Sequence, residues 1–319
     1  MSDNSKINII VVLGPTASGK TWLGVELAKL YDGEIISADS MQIYKDMRIG
    51  TAKPTEAEKC GIPHYMMDFL PTDSKFSVAE YVKAAKEHIC DIAQRGKLPI
   101  IVGGTGLYIS SLTENISFSE CSEDEVLREE LKNKAETQGI QSLYDELYSF
   151  DPESAERIGS GNAKRLIRAI EIYRLSGITM TEHIKKSKLI PSPYNTFKIG
   201  LKCENRANLY ERINKRVDVM MQEGLLEETR QVLKMQCSST SAMAIGYKEL
   251  IPYLKGECSL EAAVEKLKTE TRHYAKRQLT WFMRDKEINW FDTDTYNCKE
   301  ELLEAVKASY ENYKASLIP

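Results

Sequence analysis

The chain has 319 residues and a mass of 36.2 kDa, enough for one large domain with a hydrophobic core and a smaller inserted one. Hydrophobic residues make up 42% and charged residues 28%, and no apolar run is long enough for a helix that spans a bilayer. The net charge of -4 by itself argues against a nucleic-acid partner, while seven widely spaced cysteines argue against disulfides or a thiolate metal site and favour the reducing cytoplasm.

The first part of the chain alternates between strand and helix patterns. The predicted elements are a strand at 7–13, a helix at 22–30, a strand at 34–38, a helix at 78–94 and a strand at 98–102. The first strand is a continuous β-branched run, as in a parallel strand covered on both faces. We therefore predict the α/β class, with a P-loop NTPase-like doubly wound parallel sheet and a helical insertion domain.

The character of the sequence changes at residue 117. Residues 117–188 show helix periodicity without a convincing strand, and their charge reverses along the chain. Residues 117–156 hold 12 acidic and 3 basic residues, whereas residues 157–188 hold 8 basic and 2 acidic. We predict three segments: a catalytic core in two parts, 1–116 and 191–319, and a helical insertion at 117–190. The second core part is predicted to resume a strand at 197–201 and then to form helices at 208–223, 225–235 and 260–284.

A phosphate-binding loop lies between the first strand and the first helix. It has the pattern G-x-x-x-x-G-K-[ST] and consists of Gly14, Pro15, Thr16, Ala17, Ser18, Gly19, Lys20 and Thr21. Backbone N–H groups of such a loop surround phosphate oxygens, the lysine reaches the terminal phosphates and the final hydroxyl can bind Mg²⁺. The pattern recognises phosphates and not the group attached to them, so a diphosphate on a non-nucleotide carrier would also suit it.

Two further polar groups are expected beside this loop. Asp39 follows the second strand, and the carboxyl ends of strands converge on the ligand crevice of a doubly wound sheet. It suits a Mg²⁺ partner or a general base, and as an alternative the N-cap of a helix. Gln42 offers a two-sided amide suited to a base edge. Thr105, within the glycine-rich turn after the third strand, would form another wall of the crevice.

Basic residues on the predicted helices form the remaining candidates. Arg212 and Arg216 are four apart and share a helix face, so they could clamp a diphosphate leaving group or pair with nearby surface carboxylates. Residues 162–168 form a basic helical segment, and residues 264–286 hold 7 basic and 3 acidic residues. There Arg277 and Trp281 share a face that would suit phosphate contacts beside a stacking ring, with core packing of the tryptophan as the alternative.

Taken in order, these motifs resemble those of the bacterial tRNA dimethylallyltransferases, also called tRNA isopentenyltransferases. The matching segments are GPTASGKT at 14–21, DSMQIYKDMRIGTAKP at 39–54, GGTGLY at 103–108, NAKRLIRAIE at 162–171, AIGYKEL at 244–250 and AKRQLTWF at 275–282. The resemblance covers nearly the whole chain. It implies that the phosphate loop binds dimethylallyl diphosphate with Mg²⁺ instead of ATP. The dimethylallyl group would go to the exocyclic N6 amine of the adenosine immediately 3′ of the anticodon, with release of diphosphate.

The resemblance also implies roles for individual residues. Asp39, Lys20, Thr21 and Arg212 would be catalytic, with Asp39 as general base and Thr21 on the metal. The loop and Arg216 would bind diphosphate, and the motif does not decide which of the two arginines meets it. The residues implied to bind the tRNA anticodon stem-loop are Asp39, Ser40, Met41, Gln42, Thr105, Arg128, Ala163, Lys164, Arg165, Leu166, Ile167, Arg168, Lys276, Arg277 and Trp281.

Three other functions are compatible with parts of this pattern. A small-molecule or nucleotide kinase would share the loop and the sheet, but it would need an arginine-bearing lid. An adenylate isopentenyltransferase would use free AMP, ADP or ATP as acceptor, whereas the basic segments favour a much larger acceptor. A non-catalytic RNA-binding module would leave the phosphate loop and Asp39 without a purpose. We expect a cytoplasmic monomer of the bacterial type, without the zinc finger of eukaryotic relatives.

Overall fold

The chain folds into two compact units. The computed structural model describes residues 6–116, 124–235, 237 and 241–317. One unit comprises Met1–Thr113 and Pro193–Pro319, and the other comprises Glu114–Ser192. The insertion predicted at 117–190 falls within the second unit, and its first residues, 117–123, lie outside the described residues.

The elements follow one another along the chain in three groups. The first group is β1 (Ile7–Leu13), α1 (Lys20–Leu30), β2 (Gly33–Ala38), α2 (Glu56–Lys59), β3 (His64–Tyr65), α3 (Val78–Gln94), β4 (Leu98–Gly103) and α4 (Gly106–Thr113). The second unit contains α5 (Glu125–Gln138), α6 (Gln141–Phe150), α7 (Pro152–Ile158), α8 (Ala163–Ser176) and α9 (Met180–Lys188). The last group is β5 (Tyr194–Lys202), α10 (Arg206–Gln222), α11 (Leu225–Lys234), a short 3₁₀ helix (Ser241–Met243), α12 (Ile251–Leu254), α13 (Leu260–Phe282), β6 (Asn289–Asp292) and α14 (Lys299–Ser316).

The first unit is built on a six-stranded sheet in the order β3-β2-β4-β1-β5-β6, and every pair in it is parallel. This confirms the predicted α/β fold. The register pairs Leu13 with Gly103 and Ala38 with Gly103, so β1, β2 and β4 end side by side. The segments that follow these three strands, including the phosphate loop and Asp39, therefore start from one edge of the sheet.

Apolar packing holds the helices against this sheet. One buried cluster joins α1 and α14 to residues of the four strands β1, β2, β4 and β5, with Leu23, Val102, Phe197 and Val306 among its members. A second cluster joins the segment after β2 to α10, α11 and α13. None of the described helices combines the length and the hydropathy needed to cross a lipid bilayer.

Local signals explain which elements the sequence predicts well. Helix α3 begins and ends as predicted, because Ser77 and Glu80 form a capping box before an amphipathic run. The prediction lacks the strands β3 and β6 and the helix α14. The two strands have only two and four residues and lie at the two opposite edges of the sheet, and such short segments leave little alternation to detect.

The second unit has its own small core. Leu131, Leu143, Leu147, Leu166 and Ile170 are buried together between α5, α6 and α8. The side chain of Asp151 caps α7 through the backbone N–H of Ser154 and also accepts hydrogen bonds from Thr181 at the start of α9. All regular secondary structure among the described residues of this unit is helical, as the pattern of residues 117–188 predicts.

Candidate active site

A cavity of about 400 Å³ lies in the first unit where β1, β2 and β4 end. It is lined by Thr16, Lys20, Thr21, Ile35, Asp39, Ser40, Met41, Gln42, Gly50, Thr51, Ala52, His64, Met67, Val102, Gly103, Gly104, Arg216, Val217, Met220, Met243, Ala244, Ile245, Gly246, Lys248, Leu267, Thr271, Tyr274, Arg277 and Gln278. The cationic and carboxylate groups come from α1, the end of β2, α10, α13 and the segment before α12. The remainder is largely apolar and rich in methionine, so the cavity can hold a charged group together with an apolar one.

The phosphate loop contributes three side chains to the cavity, those of Thr16, Lys20 and Thr21. The Lys20 Nζ donates a hydrogen bond to the Pro15 carbonyl at 2.6 Å. The loop leaves β1 through Gly14, whose φ of 147° lies in a region that other residues rarely adopt. A Cβ there would be 2.4 Å from the Leu201 carbonyl oxygen, so the close approach to β5 requires glycine.

Asp39 lies in a tight turn and not at a helix start. The residues after it form a turn, and its Oδ1 accepts a hydrogen bond from the Met41 backbone N–H at 2.9 Å. The alternative of a helix N-cap is therefore wrong. Burial raises the pKa of Asp39, although that backbone hydrogen bond and the positive charges of Lys20 and Arg216 act in the opposite direction.

Lys20 and Arg216 supply positive charge beside Asp39. Burial and the nearby charge of Arg216 together lower the pKa of Lys20 to about 7, while the charge of Asp39 acts to raise it. Burial also lowers the pKa of Arg216. Lys20 and Arg216 are two buried cations with one carboxylate, Asp39, beside them. They suit a polyanionic ligand, because the ligand would supply the negative charge that the protein lacks there.

Arg212 lies outside this cavity, contrary to its expected catalytic role. Its guanidinium donates to Thr293 Oγ1 at 2.8 Å and to Asp294 Oδ1 at 2.7 Å, and its side chain is 41% exposed. Arg212 and Arg216 share a face of α10 but differ in height by one helical turn, about 6 Å. The geometry therefore favours Arg216 as the diphosphate ligand and leaves Arg212 in a surface ion pair.

Thr105 ties the turn after β4 to the Asp39 segment. Its Oγ1 accepts a hydrogen bond from the Ser40 backbone N–H at 3.0 Å, and its backbone N–H donates to the Ala38 carbonyl at 3.0 Å. Ser40, Met41 and Gln42 line the cavity, whereas Thr105 supports them from outside its lining. Contact of these residues with tRNA stays a prediction.

Gln278 is a site residue that the sequence reasoning missed. Its Oε1 accepts from the Thr16 backbone N–H at 2.9 Å, and its Nε2 donates to the Gly104 carbonyl at 3.0 Å. The buried amide thus bridges the phosphate loop and the turn after β4. The only signal in the sequence is the position of this glutamine within the AKRQLTWF motif.

The basic helix α13 presents its predicted residues in different environments. Arg277 lines the cavity with its guanidinium 5.7 Å from the Tyr274 ring centre, and Lys276 is exposed. Trp281 packs against the backbone of Gly106, where a Cβ would lie 2.3 Å from the indole ring. The half-buried Trp281 thus packs on the protein over part of its ring, and stacking on an RNA base stays a prediction.

The predicted tRNA-binding residues of α8 divide between its two faces. Lys164 and Arg165 are exposed, whereas Leu166 and Ile167 are buried in the core of the second unit. Direct tRNA contact by those two apolar side chains is therefore contradicted, because they form the inward face of the amphipathic helix. Ala163, the first residue of this helix, is half-buried.

Arg128 and Arg168 are engaged in an ion-pair cluster. Both pair with the fully buried carboxylate of Glu171, at 2.9 Å and 2.6 Å. A buried carboxylate needs such partners, so these two arginines have a structural role in the second unit. Their side chains keep exposures of 25% and 34%, and tRNA contact through them stays a prediction.

The donor set of the cavity fits Mg²⁺, the metal that the resemblance implies. Among the described residues there is no group of three or more His, Cys, Asp or Glu that could hold a metal ion. The cavity offers the Thr21 hydroxyl and the Asp39 carboxylate. Because Mg²⁺ commonly binds through one or two protein oxygens together with waters and substrate phosphates, these groups suit an ion that arrives with a diphosphate.

Comparison with known proteins gives a consistent result. A family model described as IPP transferase matches residues 42–285. A tRNA dimethylallyltransferase of Thermoanaerobacter sp. strain X514 is 51% identical over 299 residues, which cover 93% of this chain and 95% of that protein. The crystal structure of a tRNA isopentenylpyrophosphate transferase from Staphylococcus epidermidis is 44% identical with a TM-score of 0.70, and the match covers 96% of this chain and 100% of that one. A eukaryotic dimethylallyltransferase, crystallised acting on tRNA, is 29% identical with a TM-score of 0.82, and the match covers 96% and 80% of the two chains.

Proposed function

The chain belongs to the IPP transferase family and modifies tRNA by prenyl transfer, and we propose that its cavity joins dimethylallyl diphosphate to the N6 amine of an adenosine. The acceptor is the adenosine immediately 3′ of the anticodon. The observation that carries this proposal is the presence of Asp39, Lys20 and Arg216 in one cavity beside the phosphate loop. A base and two phosphate-binding cations are what this substitution requires.

The diphosphate end of the donor binds to the phosphate loop. Backbone N–H groups of the loop, Lys20 and Arg216 surround its oxygens and stabilise the negative charge that grows as diphosphate leaves. The apolar part of the cavity accommodates the dimethylallyl group, with Val217 next to Arg216 and Met220 one turn further along α10. A dry apolar environment also strengthens the interactions of the charged groups.

Asp39 acts as the general base. A bond forms between N6 and the allylic carbon, the bond from that carbon to the diphosphate oxygen breaks, and one proton passes from the amine to the Asp39 carboxylate. The Met41 N–H holds Oδ1 in place, so the carboxylate is oriented before the acceptor arrives. Since burial raises its pKa, Asp39 is a stronger base than an exposed carboxylate.

The Thr21 hydroxyl would hold Mg²⁺ together with oxygens of the diphosphate, which leaves Asp39 free to act as the base. When bound, the ion supplies positive charge that polarises the leaving group. Lys20 and Arg216 act on the same oxygens from the protein side.

The acceptor is an RNA large enough to need more than the cavity. An adenine inside a stacked loop cannot reach the donor, so the base must be turned out of the stack into the cavity. The exposed Lys164 and Arg165 of the second unit, together with Lys276 and Arg277 of α13, supply the phosphate contacts for the anticodon stem-loop. We place this reaction in the cytoplasm and expect the enzyme to act as a monomer.

Mass spectrometry of a synthetic anticodon stem-loop tests the proposal. The RNA is incubated with protein, Mg²⁺ and dimethylallyl diphosphate, and parallel reactions contain AMP or ATP as the acceptor. A matched stem-loop carries guanosine at the target position. We expect a mass gain of one dimethylallyl group on the adenosine RNA alone. Modification of AMP without modification of RNA, or ATP hydrolysis without prenyl transfer, would contradict the proposal.

A further inference from the structure

The side chain of Glu228 in α11 binds the backbone of a loop in the cavity wall. Its Oε2 accepts hydrogen bonds from the N–H groups of Arg48 at 3.0 Å and Ile49 at 2.9 Å, and its Oε1 accepts from Gly50 at 2.9 Å. Three consecutive N–H groups on one carboxylate fix the course of the loop, because charge-assisted hydrogen bonds are stronger than neutral ones. Glu228 itself does not line the cavity, whereas Gly50 does.

The loop held in this way orients the Gln42 amide. The carbonyls of Thr51 and Ala52 each accept a hydrogen bond from Gln42 Nε2 at 3.3 Å, and Gln42 Oε1 accepts one from Ser37 Oγ at 2.9 Å. Since a carbonyl can only accept, the two carbonyls determine which side of the amide is nitrogen. Both sides of the amide are thus engaged, which reduces the expected two-sided readout of a base edge, and the amide oxygen keeps one of its two acceptor positions.

The same carboxylate fixes a second wall of the cavity. The Tyr247 hydroxyl donates to Glu228 Oε1 at 2.7 Å, and its buried ring packs on Gly50 so closely that a Cβ there would lie 2.6 Å from the ring. The neighbours of Tyr247, Gly246 and Lys248, line the cavity. A substitution at Glu228 would therefore affect the loop at 48–52 and the Tyr247 segment, whereas the phosphate loop makes none of these contacts.

We propose that Glu228 is a positioning residue for the acceptor base, acting through the loop at 48–52 and Gln42. The fixed amide presents Oε1 as a hydrogen-bond acceptor to the exocyclic amine of adenine. A 6-oxo purine would present a carbonyl at that place and leave two acceptors facing each other. This inference rests on the proposed function, since it assigns the adenine of that reaction to the Gln42 side of the cavity.

The direct test compares Glu228→Gln, Gln42→Ala and the double variant. Glu227→Gln is the matched control, since that carboxylate is one residue away and its side chain is 65% exposed. We expect Glu228→Gln to lower kcat/KM for the stem-loop by about tenfold, the effect of one well-placed hydrogen bond, with the KM for dimethylallyl diphosphate unchanged. In the Gln42→Ala background, the same substitution should change kcat/KM by less than about twofold, because the effect passes through Gln42.

A binding measurement makes the test independent of the chemistry. The affinities of stem-loops carrying adenosine or inosine at the target position are measured by fluorescence anisotropy. Because binding does not require prenyl transfer, a wild type that failed to transfer the group would overturn the proposed function but not the measured preference for adenosine. We expect the preference for adenosine to shrink in Glu228→Gln and, to a smaller extent, in Tyr247→Phe, which keeps the ring on Gly50. An unchanged preference for adenosine in Glu228→Gln would overturn the inference. So would an equal loss of kcat/KM from Glu228→Gln in the wild-type and Gln42→Ala backgrounds, and Glu228 would then be a purely structural residue.

Discussion

Lys20 and Asp39 share one cavity, where burial lowers the pKa of Lys20 and raises the pKa of Asp39 and so favours the neutral form of each. The charge of each residue opposes the shift in the other. An anionic ligand changes this balance. It favours the charged form of Lys20 and, by neutralising the cations, removes part of what keeps Asp39 ionised. The two residues therefore couple donor binding to the protonation state of the site.

Binding of inorganic diphosphate is predicted to take up a proton above pH 7. The free protein holds Lys20 with a pKa of about 7, so its ammonium is present below that pH and lost above it. The bound anion requires the ammonium, and affinity should fall with rising pH by at most about tenfold per unit. Calorimetry at pH 8 in two buffers of different ionisation enthalpy measures the uptake. Equal uptake by the wild type and Lys20→Met would exclude Lys20 as its source.

Substitution of Arg216 should weaken donor binding much more than substitution of Arg212 on the same helix, α10. Arg216→Gln is expected to raise the KM for dimethylallyl diphosphate by about tenfold to a hundredfold, because it removes a charged hydrogen-bond donor from the leaving group. Arg212→Gln, one turn away, should change that KM by less than about threefold and the free energy of unfolding by less than about 1 kcal/mol, as for an exposed ion pair. Steady-state kinetics and urea unfolding measure both, and a larger kinetic effect at Arg212 would reverse the assignment.

Gln278 is predicted to stabilise the site by its bridge. Gln278→Leu would leave the Thr16 N–H and the Gly104 carbonyl without their partner, at a cost of about 2–4 kcal/mol in the free energy of unfolding. The donor KM should rise as well, since the phosphate loop loses its support. Thr280→Ala, at an exposed position of the same helix, is the control. Equal stability of the two variants in urea would show that the bridge contributes little.

The exposed cations of α8 are predicted to bind RNA phosphates. Neutralising Lys164 and Arg165 together should weaken binding of the stem-loop and reduce the slope of log affinity against log salt by about 2 at most. Lys132→Gln, an exposed lysine of α5, should leave the slope unchanged. The measurement is fluorescence anisotropy over a range of salt concentrations. A slope unaffected by the double substitution would place the RNA elsewhere.

Much of the fold follows from local patterns in the sequence. The β-branched run of β1, the glycine loop and the capping box of α3 each satisfy a local physical requirement, so each can be recognised from its own residues. The short strands β3 and β6 carry too few residues for periodicity, and they form because a sheet edge is already there to pair with.

The site was predictable only in part, because its remaining members depend on distant partners. Helical spacing places Arg212 and Arg216 on one face, but it cannot tell which turn of the helix reaches the cavity. Gln278 and Glu228 look like ordinary polar residues of helices. Their roles arise from backbone groups 262 and about 180 residues away along the chain, which periodicity does not register.

The most direct test of the account is a rapid-quench measurement of single-turnover prenyl transfer by the wild type and Asp39→Asn. With both substrates saturating, the variant should transfer about 10²–10⁴ times more slowly, the usual contribution of a general base, while its affinity for diphosphate does not weaken. The wild-type rate should fall as the pH drops through the raised pKa of Asp39, because protonation removes the base, and the variant should lack this limb. A variant rate close to that of the wild type, or the same pH limb in both proteins, would contradict the central claim that Asp39 takes the proton from the acceptor amine.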